Sequence, residues 1–204
     1  MALVVGFVLG HFRENKRLSD FQNQGEAALS HILKTNFLPP DYHLMNHLTL
    51  CAEDGTTQID HVLVSRFGVF VIESKHYKGW ILGDEKQSNW TQVLFNGKFK
   101  FQNPIHQNFR HIMAVRALLD FLPPETIKSA VVFTGDAEFK TPIPQGVFRI
   151  SEFMTHLREQ KVEVMSVNRM QFCVGRLESA RLAVSGETDI EHVQYLRHRF
   201  DHAI

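Results

Sequence analysis

The sequence predicts a mixed α/β domain in which a central sheet carries helices on its faces. Three observations support this. Segments with apolar residues at helical spacing alternate with runs of strand character. Residues 57–75 read as two strands joined by a short turn. The run "IKSAVVFTG" (127–135) is apolar enough for a strand buried on both faces. At 204 residues and 44% hydrophobic, the chain can bury a substantial core as one domain.

The first helix is expected from Leu18 to about Thr35, where Leu18, Phe21, Ala28, Leu29, Ile32 and Leu33 form one stripe. Gly25 interrupts it at a cost of about 1 kcal/mol relative to Ala, which implies close approach by another element. "LPPD" (38–41) stops the helix. "HLMNHLTL" (43–50) reads as a strand, and Asp54-Gly55 carries a turn signal. Strands follow at about 57–64 and 69–75. The region 79–101 reads as an irregular β-hairpin excursion, with Trp80 and Trp90 as packing residues.

A helix over 103–122 is well punctuated, with Asn103 as N-cap, Pro104 in the first position, and Pro123 and Pro124 at the end. After strand 127–135, "GVFRI" (146–150) is another strand, and helices are expected at about 151–160, 168–183 and 188–201. The last opens with Thr188 and Glu191 at capping-box spacing. "RLESAR" (176–181) and "RHRFDH" (197–202) read as solvated helix faces.

Residues 1–17 stand apart from a single domain over 18–204. "MALVVGFVLG" is apolar and "HFRENKR" basic. Ten helical residues span roughly 15 Å, about half a hydrocarbon core, and a signal peptide would carry its basic residues first. Two readings stand. The segment is the end of a membrane helix with its basic flank on the cytoplasmic side, or an element packed on the domain.

Lys+Arg and Asp+Glu both number 22, so no overall basic field exists. A polyanion-binding surface must then come from local clusters or bound metal. The 12 histidines lack zinc-ligand spacing. Cys51 and Cys173 form no disulfide framework, which fits a reduced intracellular compartment.

Chemistry concentrates in "TTQIDHVLVSRFGVFVIESK" (56–75), where Asp60, Glu73 and Lys75 break an apolar alternation. A two-residue loop at Arg66–Phe67 pairs Val64 with Val69 and, in the same register, Asp60 with Glu73. A bulge at Gly68 would shift that pairing by one. Like charges directly opposed destabilise a strand pair, and a divalent cation between them resolves the conflict. Lys75 shares the face of Glu73, placed to orient or deprotonate water or to stabilise phosphate charge. The bland alternative is a solvated strand face with an ordinary ion pair.

Taken together, Gly25-Glu26, "QIDHVLVSRFGVFVIESK" (58–75) and "NPIHQ" (103–107) resemble the nuclease-related domain family, a branch of the PD-(D/E)xK nuclease superfamily. The likeness runs from about residue 20 to 135, with 136–204 as a C-terminal extension. It implies a restriction-endonuclease-like α/β fold, a central mixed sheet flanked by helices, with extra C-terminal helices. It also implies Mg²⁺-dependent cleavage of DNA phosphodiesters, with Mn²⁺ as a substitute metal. Carried over, Asp60 and Glu73 are the metal carboxylates, Glu26 a further acid from the first helix, and Lys75 the water-positioning cation. Gln107 positions substrate or water, His111 lies one turn later on the same face, and His76 follows Lys75 directly. Ser74 is expected on the opposite face. The implied partner is DNA and the expected location the cytoplasm, or the cytoplasmic face of a membrane. A second reading is a catalytically weak nucleic-acid- or protein-binding module on the same fold.

Overall fold

A computed structural model describes residues 24–52 and 55–182. The segment 1–17, Asp54 of the expected turn, the helix expected at 188–201 and "RHRFDH" lie outside the described residues. Helix α1 is described over 24–36. Then follow β1 (Tyr42–Ala52), β2 (Gly55–Ser65), β3 (Gly68–Lys75), β4 (Gly79–Leu82), β5 (Asn89–Leu94), β6 (Gly97–Gln102) and α2 (Pro104–Leu118). The chain continues through β7 (Ile127–Phe133), β8 (Ala137–Phe139), β9 (Val147–Arg149), α3 (Ile150–Glu159) and α4 (Val167–Ala180). Among the described residues, no helix is long and apolar enough to cross a membrane.

The main sheet has the order β1-β2-β3-β7-β9. β1, β2 and β3 form an antiparallel meander, whereas β7 and β9 add parallel strands. This is the mixed α/β architecture read from the sequence, and it is consistent with a restriction-endonuclease-like fold. Ser65 pairs with Gly68 across the two-residue loop Arg66–Phe67. The unshifted register is therefore the one adopted. Gly68 has φ 142°, a value that disfavours any side chain.

Two apolar layers sandwich the sheet. Val62, Val64, Val69 and Val71 close against Ile112 and Val115 of α2 and Met170 and Leu177 of α4. Leu63, Phe70 and Ile72 close against Leu29 and Leu33 of α1 and Phe153 and Leu157 of α3. The alternation of strand residues between these layers follows from the two-residue period of a strand.

The region 79–101 holds more order than an irregular excursion. β4, β5 and β6 join β8 in a second sheet of order β6-β5-β4-β8. Trp90 is fully buried and stacks on Phe133, as a packing residue should. Trp80 is not part of that core; it is 50% exposed.

α2 is fixed at both ends and in its middle. The Asn103 carboxamide oxygen accepts from the Ile105 N–H at 2.9 Å, and its nitrogen donates to the Gln87 carbonyl at 2.7 Å. Buried Asn108 donates to the Val71 carbonyl and the Ser129 hydroxyl, tying the helix to β3. The helix ends at Leu118, a turn before Pro123, and Arg176 of α4 donates to the exposed Leu118 carbonyl. "RLESAR" is solvent-exposed at Arg176, Glu178 and Ser179, as expected of a solvated face, but it is anchored at two points. Leu177 is core, and Arg181 donates to the Asn46 carbonyl on β1.

Gly25 sits where α1 crosses the end of β3. A Cβ there would lie 2.4 Å from His76 Cβ and 2.5 Å from Thr134 Oγ1. Gly25→Ala is therefore expected to lower stability by about 1–3 kcal/mol through overpacking, despite the better helix propensity of Ala. Urea unfolding of the two proteins measures it.

Candidate active site

β3 ends in Glu73-Ser74-Lys75, and its alternation sends Glu73 and Lys75 toward α2. Glu73 is buried, with both carboxylate oxygens engaged. Oε1 accepts from the Lys75 ammonium at 2.5 Å, and Oε2 lies 3.0 Å from His111 Nε2. Lys75 also donates to Gln107 Oε1 at 3.1 Å. Gln107 and His111 are one turn apart on α2 and present the same face to the strand, as their spacing predicts. With Nε2–H directed at Glu73, His111 Nδ1 accepts from the Thr57 hydroxyl at 2.7 Å.

Asp60 enters the site by a different route from the one expected. Strict alternation puts Asp60 on the α2 side with Val62 and Val64, and Ile59 on the other side. Instead Ile59 lies in the same core layer as Val62 and Val64, and Thr57 reaches α2. The side-chain phase therefore slips between Ile59 and Val62. On β1 the pairing skips His47 and Asp60, and His47 adopts φ 49°. The β2–β3 ladder likewise stops at His61–Ile72. Asp60 Oδ2 then takes the place of a ladder partner, accepting from the Ser74 N–H at 2.7 Å and the Ser74 hydroxyl at 2.9 Å. Ser74 is thus a ligand of the site acid, contrary to the expectation that it points away.

Glu26 arrives from α1, largely buried, 3.6 Å from His47 Nδ1. His76 Nδ1 lies 3.0 Å from the Thr134 hydroxyl. Thr57, Ser74 and His47 are the site residues that sequence reasoning missed. Only Thr57 carried a local signal, as a polar residue at a buried strand position.

The charges do not balance. Burial pushes the Asp60 carboxyl well above the usual carboxylate range, and the Glu73 and Glu26 charges push it further. Burial also raises Glu26, with Glu73 adding and His47 opposing. For Glu73 burial pulls upward too, but Lys75 and His111 outweigh it and hold the carboxyl below its ordinary value. Burial acts to lower Lys75, yet Glu73 and Asp60 outweigh it and hold the ammonium above its ordinary value. Three carboxyl groups thus face one ammonium, and with all three ionised, as a bound cation would require, they exceed it by two negative charges.

That excess fits one divalent hard cation. The oxygen-only donor set suits Mg²⁺ or Mn²⁺. Among the described residues no three His, Cys, Asp or Glu side chains form a ready metal cage. Mg²⁺ does not require one, since one or two carboxylates, waters and substrate phosphate oxygens complete its shell.

The family model of the nuclease-related domain matches residues 22–134, which contain every element described above from α1 to β7. The chain is also 48% identical over 97 residues to an uncharacterised protein of Bacillus anthracis. That match takes in 47% of this chain and 45% of the relative, so the chain spans about half the relative's length or less. No solved structure matches the chain.

Proposed function

We propose that this chain, which belongs to the nuclease-related domain family, hydrolyses DNA phosphodiester bonds with a divalent cation held by Asp60, Glu73 and Glu26. The observation that carries the reading is the uncompensated charge of those three carboxylates around one ammonium. Mg²⁺, or Mn²⁺ in its place, supplies Lewis-acid polarisation of the phosphate and a more acidic bound water.

The chain's own groups do the rest. Lys75 holds its proton, so it acts as a cation and donor toward the attacking water or the phosphate, not as a base. Gln107 steadies the ammonium through Oε1, and its amide nitrogen supplies a donor for phosphate or water. Ser74 orients Asp60. His111 was expected to touch substrate; with both ring nitrogens engaged by Glu73 and Thr57, we assign it to positioning Glu73. His76 remains a proposed substrate contact at the end of β3. We place the reaction in the cytoplasm, or at the cytoplasmic face of a membrane if residues 1–17 anchor the chain.

One observation favours a second reading, a binding module without useful catalysis: both Glu73 oxygens are already engaged. Cleavage of plasmid DNA separates the two. The proposal expects cleavage that EDTA abolishes and that Lys75→Met lowers by about 10²–10³-fold. DNA binding with no cleavage under Mg²⁺ or Mn²⁺ supports the module. Undiminished cleavage by folded Lys75→Met assigns the activity elsewhere.

A further inference from the structure

β4 follows β3 after three residues, and β8 follows β7 after three residues. The parallel pair β3–β7 is therefore continued by the parallel pair β4–β8, and the second sheet begins just beyond Lys75. Its inner face is closed by Ile81 and Trp90 against Phe133. Its outer face carries Trp80, Val93 and Lys98 in one row and Leu82, Thr91 and Lys100 in the next.

Trp80 is half exposed, and Lys98 and Lys100 are exposed. The Lys140 ammonium lies 4.7 Å from the Trp80 ring centroid and pairs with Glu138, the one acid in the strands of that face. Phe95, at the tip between β5 and β6, is fully exposed. A cavity of about 550 Å³ is lined by Phe95, Trp80, Lys78, Gly79, Leu94 and one acid, Asp136.

Water-exposed aromatics interleaved with lysines do not resemble the centre of a protein–protein contact, from which lysine is depleted. They match a surface on which bases stack while phosphates meet ammonium groups. Base faces are hidden in a duplex and open in a single strand. We infer that the outer face of the second sheet binds single-stranded DNA, with a base on the Trp80 ring and the adjoining phosphates at Lys98 and Lys100. This rests on the DNA-cleaving reading and deepens it, because only three residues separate Lys75 from the second sheet.

The test is fluorescence anisotropy of the full chain with labelled oligothymidine and with a duplex of equal length, in EDTA so that metal-dependent cleavage is absent. Trp80→Ala is expected to weaken oligothymidine binding by about tenfold, the loss of one stacked base. Lys98→Gln with Lys100→Gln is expected to flatten the salt dependence by about 1.4 in log–log slope, roughly 0.7 per phosphate contact. The duplex should bind more weakly and ignore Trp80→Ala. No binding of oligothymidine by the wild-type chain overturns the inference and leaves the face to a protein partner. Wild-type affinity in Trp80→Ala, or a duplex bound as tightly as the strand, overturns it too. Cleavage of the single-stranded oligonucleotide, assayed in parallel with Mg²⁺, keeps the two ideas apart: lost cleavage with intact binding sinks only the catalytic reading, and single-strand cleavage indifferent to Trp80 and both lysines sinks only the platform.

Discussion

Glu73→Ala is expected to lower the unfolding free energy by about 3–5 kcal/mol, the cost of leaving a buried charge without its partner. Lys75 is the charge left behind. Its side chain is 14% exposed, and its remaining acceptor, Gln107 Oε1, is neutral. His111 simultaneously loses the acceptor for Nε2. Glu73→Gln keeps the volume and one acceptor and should cost markedly less. The pH dependence has a defined sign. The Glu73 carboxyl is held below its ordinary value, so its contribution is complete above the unfolded carboxylate range, about pH 4.3. It is lost as pH falls through the folded value. Urea titrations at neutral and acidic pH should show the gap between wild type and Glu73→Ala closing on the acid side.

Asp60→Asn is expected to act in the opposite direction on stability and to remove cleavage. The Asp60 carboxyl is raised, so without metal the native state binds its proton more tightly than the unfolded chain. Stability then falls as pH rises from about 3.9, the unfolded value, through the raised folded value. Asn keeps an oxygen for the Ser74 N–H and removes the repulsion from Glu73 and Glu26. The metal-free variant should gain about 0.5–2 kcal/mol, the gain typical when an active-site conflict is relieved at the expense of function. Cleavage should drop by at least about 10²-fold, and Mg²⁺ should stabilise the wild-type chain more than Asp60→Asn. Thermal unfolding with and without Mg²⁺ reads both effects. A variant that is destabilised without metal and still answers to Mg²⁺ like wild type would remove Asp60 from the cation site.

Much of this arrangement is legible in the chain. The hairpin register follows from the loop at Arg66–Phe67, and the α2 boundaries at the start follow from Asn103-Pro104. The shared face of Gln107 and His111 follows from helical spacing. What was not legible has one physical source. The phase slip at Asp60 depends on a left-handed residue, His47, on the neighbouring strand, and no glycine or proline marks it. Ser74 and Thr57 became site residues only through that slip. The second sheet was hidden for a related reason. β8 is three residues long and parallel to β4, and such short non-local pairings leave no periodic signal.

The most direct measurement is the anomalous diffraction of Mn²⁺ soaked into crystals of the wild-type protein. The proposed site predicts a manganese peak bonded to the carboxylates of Asp60 and Glu73, on the Lys75 side of β3. A peak held by other residues, with Asp60 still on Ser74 and Glu73 still on Lys75 and His111, would contradict it.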